Sequence, residues 1–209
     1  VLATAQSEAE RAAPPLREFL APLSERRVQM LRAAGKFVTE TGALQAALEA
    51  GDLAAAQASW RGAAAQWAAL GLVSNRAADL ENRIAPRAEW LAGREADPAF
   101  TGLTRIEYGL FAQGSTEGLA PVAAQLSADA AEMKARVAAL DPAPADLAGD
   151  AARRARHLAE GQIAAGLSPY DHDESALLGA SLAAIARSAA LVECGDHAIR
   201  GPRGRDARL

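Results

Sequence analysis

Apolar residues recur at helical spacing along most of this chain, and that periodicity constrains its fold more than any other feature. The register is cleanest between Leu119 and Leu140, where Leu119, Val122, Leu126, Met133, Val137 and Leu140 fall on one helical face. The residues between them are rich in alanine, the strongest helix former. Aromatic residues make up only 4% of the chain, so the side chains that favour strands are scarce. The pattern predicts an all-α protein. At 209 residues the chain is long enough to bury a core as one domain or two small ones.

Turn signals divide the periodic stretches. Residues Ser7 to Ala50 read as one or two helices, with Pro14-Pro15 near the start, where proline is tolerated. Gly51-Asp52 reads as a helix stop followed by an N-cap. A second helix follows from about Leu53 to Leu72, with Trp60 and Trp67 on one face as core anchors. A short helix over Asn75 to Arg87 stops near Pro86; its mixed charges, Arg76, Asp79, Glu81, Arg83 and Arg87, read as a salt-bridged, solvated face. Gly114 to Gly118 caps the long helix from Leu119 to Leu140. Asp141-Pro142-Ala143-Pro144 turns into a helix over Leu147 to Ala165, and a polar loop from Ser168 to Glu174 leads into a last helix from Ser175 to Val192. Connections this short predict an antiparallel, up-and-down bundle. The pattern stops after Cys194, and residues 195–209 read as a basic, Gly/Arg-rich disordered tail outside a helical domain of residues 1–194.

One stretch is less generic. FTGLTRIEYGLF, from Phe100 to Phe111, follows the turn signal Asp97-Pro98. Leu103, Ile106, Leu110 and Phe111 form an apolar stripe, and Thr104 and Glu107 sit beside it, three residues apart and facing the same way. A carboxylate at such an edge is either a solvated surface residue or the start of a polar site between helices.

Composition excludes several functions. With 22 basic against 26 acidic residues, bulk charge argues against a nucleic-acid partner. No apolar run reaches the roughly 18 residues a membrane helix needs. Cys194 is the only cysteine, so no intrachain disulfide or cysteine-based zinc site can form. The three histidines, His157, His172 and His197, are far apart and form no HExxH pattern. No Ser, Cys or Lys sits in a recognisable nucleophile motif, which points away from an enzyme. The chain begins at Val1 rather than Met, for which a cleaved signal peptide is one explanation and a trimmed N terminus another.

Four segments in order carry a resemblance: AALEAGDLAAAQASW, DLENRIAPR, ADPAFTGLTRIEYGLF and SPYDHDES. Over roughly Leu16 to Val192 the chain resembles the imelysin-type metal-binding domain of EfeO and EfeM proteins, periplasmic components of bacterial iron uptake. The resemblance implies a helical bundle of two four-helix halves related by a pseudo-repeat. It also implies a periplasmic or otherwise exported, non-catalytic binding protein. Its partners would be a metal ion, iron or copper, and a membrane permease or other iron-uptake subunits. The family's metal motif is Gly-x-His-x-x-Glu, so the candidate metal ligand is Glu107, while Thr104 stands where the family has histidine. Further family acids are replaced by Ala68, Gly71, Ala85, Leu167 and Ser168, and Ser181-Leu182-Ala183-Ala184 replaces a segment with a glutamate. Glu107 is therefore either a residual ligand or a buried acid paired with Arg83, Arg87 or Arg105. His172, among Asp171, Asp173 and Glu174, is either part of a metal loop or part of a helix start. The alternative function is a module that kept the fold, lost the metal and docks to partner subunits.

Overall fold

Helix α1, Leu20–Glu49, is the longest element of the computed structural model, which describes residues 16–70, 77–141, 143–163 and 166–200. A single 3-10 turn, Leu16–Phe19, leads into it. The predicted stop at Gly51 is a Schellman cap: Gly51 adopts φ +69°, its N–H donates to the Leu48 carbonyl, and the Asp52 N–H donates to the Ala47 carbonyl. The Asp52 carboxylate then accepts the Ala55 N–H at 3.0 Å, capping α2, Leu53–Leu70. Residues 71–76, which include the predicted end of this helix and Arg76, lie outside the described residues.

The chain continues through α3, Ala78–Ile84, two 3-10 turns, Ala88–Trp90 and Arg94–Ala96, and α4, Gly102–Glu107. The predicted single helix over 100–111 does not stay α-helical. From Tyr108 to Ala112 it widens into a π turn. Helix α5, Ala120–Ala139, matches its clean sequence register. Helix α6, Pro144–His157, also ends in a π segment, Leu158–Ile163, before the loop to α7. Helix α7 runs from Ser175 to Arg200, past the predicted end at Val192, and residues 201–209 of the predicted tail lie outside the described residues.

The helices pack as an antiparallel bundle. Arg27 of α1 donates to the Ala138 carbonyl near the end of α5, and Ser127, earlier in α5, donates to the Thr41 carbonyl later in α1. Phe37 and Trp67 meet at 5.5 Å between ring centres across α1 and α2. Phe37, Leu44, Leu80, Ile84, Ile106, Leu110, Leu126 and Met133 are buried in one hydrophobic core. Both tryptophans of α2 pack against that core as predicted, Trp60 buried and Trp67 partly so.

The charges of α3 do not form an isolated solvated face. Asp79 pairs in bidentate fashion with Arg136 of α5 at 2.6 and 2.7 Å, which holds its carboxyl at a pKa of about 2. Arg83 reaches Asp129 at 3.3 Å and Glu132 at 2.6 Å, both on α5. These pairs tie the short α3 to the long α5 and fix where α4 begins.

Core and surface should respond differently to truncation. Phe37→Ala is expected to cost about 3–5 kcal/mol in urea unfolding. Leu182→Ala, at a 51% exposed position, should stay within about 0.5 kcal/mol. Equal effects at the two sites would contradict this packing.

Candidate functional site

Asp97 builds the entry to the site by accepting the N–H groups of Gly93 at 3.0 Å and Ala99 at 2.9 Å. Two residues on from Phe100 the chain turns at Gly102, with φ +64°. A Cβ there would lie 2.1 Å from the Ile84 carbonyl oxygen, so only glycine lets α4 start against the end of α3. Helix α2 grips the new helix from one side. Trp60 Nε1 donates to the Leu103 carbonyl at 2.8 Å, and Gln57 Nε2 donates to the Leu110 carbonyl at 2.9 Å.

On this short helix Thr104 and Glu107 diverge. The Thr104 hydroxyl donates to the Pro86 carbonyl at 2.6 Å, tying α4 back to the end of α3. Glu107 is 1% exposed and turns toward the loop before α7. Its Oε1 accepts three hydrogen bonds from that loop: Ser168 Oγ at 2.7 Å, Tyr170 N–H at 3.1 Å and Asp171 N–H at 3.1 Å. Burial pushes the Glu107 carboxyl up, the three donors oppose that, and the nearby Asp171 charge adds to the rise.

None of the three arginines proposed from the sequence pairs with Glu107. Arg83 goes to Asp129 and Glu132, Arg87 meets Glu89 at 2.5 Å, and the Arg105 guanidinium lies over the Tyr108 ring at 5.8 Å. The anchor is instead a serine and two backbone amides more than sixty residues away, with no sequence signal to link them to Glu107.

The loop held by Glu107 is also closed on itself. Leu167 N–H donates to Glu174 at 2.9 Å, and His172 N–H donates to the Ser168 carbonyl at 3.1 Å. His172 adopts φ +58° and its side chain is exposed, while Asp173 accepts the Ser175 hydroxyl at 2.7 Å where α7 starts. Asp171 is drawn instead to Arg61 of α2, at 2.5 and 2.8 Å. The loop acids thus serve the loop and its neighbours. Among the described residues, no three His, Cys, Asp or Glu side chains are grouped so as to hold a metal ion.

Beside this latch lies a cleft of about 370 Å³ between α2, α3, the 3-10 turns and the loop. Glu81, Ala85, Thr104 and Leu167 line it, whereas Glu107 does not. They include Ala85, Thr104 and Leu167, three positions at which this sequence departs from the family's acids and histidine. Tyr170 lines it too, its hydroxyl donating to Glu95 at 2.9 Å and its ring meeting Tyr108 at 5.1 Å. Glu81 is half-buried, with no side-chain partner among the described residues, and burial alone pushes its carboxyl up to about 7.

Two measurements follow from this geometry. Ser168→Ala removes one of three donors to a buried carboxylate and should cost about 1–3 kcal/mol in chemical unfolding. No loss of stability would mean that the contact is idle. Glu81 has a raised folded-state pKa, so the folded chain binds a proton that the unfolded chain releases between the ordinary value of 4.5 and about 7. Its contribution to stability is present below that window and lost as pH rises through it. Between about pH 5 and pH 8, wild type should lose about 1–2 kcal/mol more stability than Glu81→Gln, allowing for solvent screening of the half-exposed group. Parallel profiles would contradict the shift.

The family model described as imelysin (Peptidase M75) matches residues 25–176. The chain is 29% identical over 162 residues to the protein named iron uptake system component EfeO of Yersinia pseudotuberculosis serotype I (strain IP32953), covering 78% of this chain and 43% of that protein. Identity is again 29% to the EfeO of Escherichia coli (strain K12), over 139 residues, covering 66% of this chain and 37% of that protein. The chain thus spans about two fifths of the length of these curated relatives.

Proposed function

The chain belongs to the imelysin family, and from that premise we propose that it is an exported, non-catalytic component of a bacterial iron-uptake system. The reading is supported by relatives whose printed names place them in such systems. It is supported as well by the all-helical bundle, the fold that the family resemblance implies. Among the described residues no helix is long and apolar enough to cross a membrane, which is compatible with an exported role. Peptidase chemistry would need a nucleophile with its base, or a metal-held water. Of the hydroxyls lining the cleft, Thr104 donates to the Pro86 carbonyl and Tyr170 to Glu95, and burial together with Glu95 pushes the Tyr170 pKa up. Neither is activated for attack.

Within that role we propose that Glu107 is a structural anchor rather than a metal ligand. One observation carries this second reading: Glu107 Oε1 already accepts three hydrogen bonds, and the neighbouring Thr104 offers a hydroxyl, a poor ligand for a divalent transition metal. Iron and copper favour several carboxylate or imidazole donors converging on one point, and Glu107 supplies a single engaged carboxylate.

Calorimetric titration with Fe, Cu and Zn tests the assignment of Glu107. The expected result is no binding tighter than micromolar that depends on Glu107. Tight binding abolished by Glu107→Ala would overturn it. The wider role is tested in the native host. Deleting the protein should slow iron accumulation under iron limitation, with recovery on complementation, and unchanged accumulation would count against it.

A further inference from the structure

The cleft beside the Glu107 latch has three carboxylates on its walls, Glu81, Glu89 and Glu95, and two guanidinium groups, Arg87 and Arg94. Arg87 pairs with Glu89 at 2.5 Å and Arg94 with Glu95 at 3.5 Å. Glu95 also receives the Tyr170 hydroxyl. Among the described residues this leaves one carboxylate, Glu81, with neither an ion pair nor a hydrogen bond to its side chain. A half-buried carboxylate without a partner is costly in a folded protein, and a bound cation would remove that cost.

The remaining lining identifies what kind of cation. Trp67, Trp90, Phe100 and Tyr170 contribute aromatic surface to the same cleft. Aromatic faces attract organic ammonium groups through the ring quadrupole, and the attraction grows when the cation is desolvated. Ala85 and Leu167 add aliphatic contact, which favours the carbon body of an organic ligand over a hydrated metal ion. The walls are fixed in place before any ligand arrives. Trp67 is braced by Phe37, and Tyr170 by its hydrogen bond to Glu95 and by the Tyr108 ring. Trp90 is 74% exposed at the mouth, where the Arg87 guanidinium lies 5.5 Å from its ring centre. The volume, about 370 Å³, lies in the range of small-molecule sites.

We propose that this cleft binds a small organic cation, an aryl- or alkylammonium compound, with Glu81 as its charge partner and the Trp67, Trp90, Phe100 and Tyr170 side chains as its aromatic enclosure. The inference does not depend on the iron-uptake role or on the reading of Glu107. The burial-driven rise of the Glu81 carboxyl agrees with it, since no neighbouring group among the described residues offsets that burial.

The test uses the whole chain and three probes of similar size: benzyltrimethylammonium, benzyl alcohol and phenylacetate. Trp67 and Trp90, two of the three tryptophans, line the cleft, so intrinsic fluorescence reports occupancy. The expected result is saturable binding of benzyltrimethylammonium, at least tenfold tighter than phenylacetate. Glu81→Gln should weaken the cation at least tenfold and leave benzyl alcohol unchanged. Trp90→Ala, at an exposed position that the fold does not rely on, should weaken the cation several-fold. No saturable binding of the cation at millimolar concentration, equal cation affinity in Glu81→Gln, or a preference for phenylacetate would each overturn the proposal.

Discussion

A carboxylate buried at the end of a short helix has to be satisfied by something, and the loop before α7 is built to do it. Glu107 is almost fully inaccessible, and an unsatisfied charge there would cost several kcal/mol. Its Oε1 instead collects a hydroxyl and two backbone amides from residues 168–171. The rest of the loop follows from that contact. With Tyr170 and Asp171 amides pointing inward, the Tyr170 ring is set against Tyr108 and the Asp171 carboxylate against Arg61. The chain then turns back through His172 at positive φ to start α7.

The same contact shapes the cleft. Leu167, Pro169 and Tyr170 form one of its walls, so the position of that wall depends on the anchor beneath it. The opposite wall depends on α3, which is held to α5 by Arg136 and Arg83 and to α4 by the glycine approach at Gly102 and the Thr104 hydroxyl. The π turn at Tyr108–Ala112 lies between these constraints, and its Leu110 carbonyl is satisfied from α2 by Gln57. Such widened turns recur at functional sites because they redirect side chains without ending the helix. Here the turn starts at the residue after Glu107.

Helix type and most helix positions were legible in the sequence because they depend on local spacing. The Leu119–Leu140 register and the Gly51-Asp52 cap each involve residues within a few positions of one another, and both are realised in the fold. The end of α7 is not legible in the same way: the apolar pattern gives out after Val192, whereas the backbone stays helical to Arg200. The π turn had no local signal, since its apolar pattern suits an α-helix equally well. At the site, Glu107 stood out through its place beside an apolar stripe. Its partners did not, because a serine and two backbone amides at a separation of 61 to 64 residues leave no mark in composition or periodicity. That Glu81 has no partner among the described residues was hidden for the opposite reason: its neighbours Asp79 and Arg83 look like partners in sequence, but in the fold both turn to α5.

Hydrogen bonds from the loop to Glu107 hold this part of the fold together. Amide hydrogen exchange at Tyr170 and Asp171 measures this directly, because both N–H groups donate to that carboxylate. The account predicts slow exchange at both amides, unchanged by a strong metal chelator and lost in Glu107→Ala. Protection that disappears on chelation, or that survives Glu107→Ala, would contradict it.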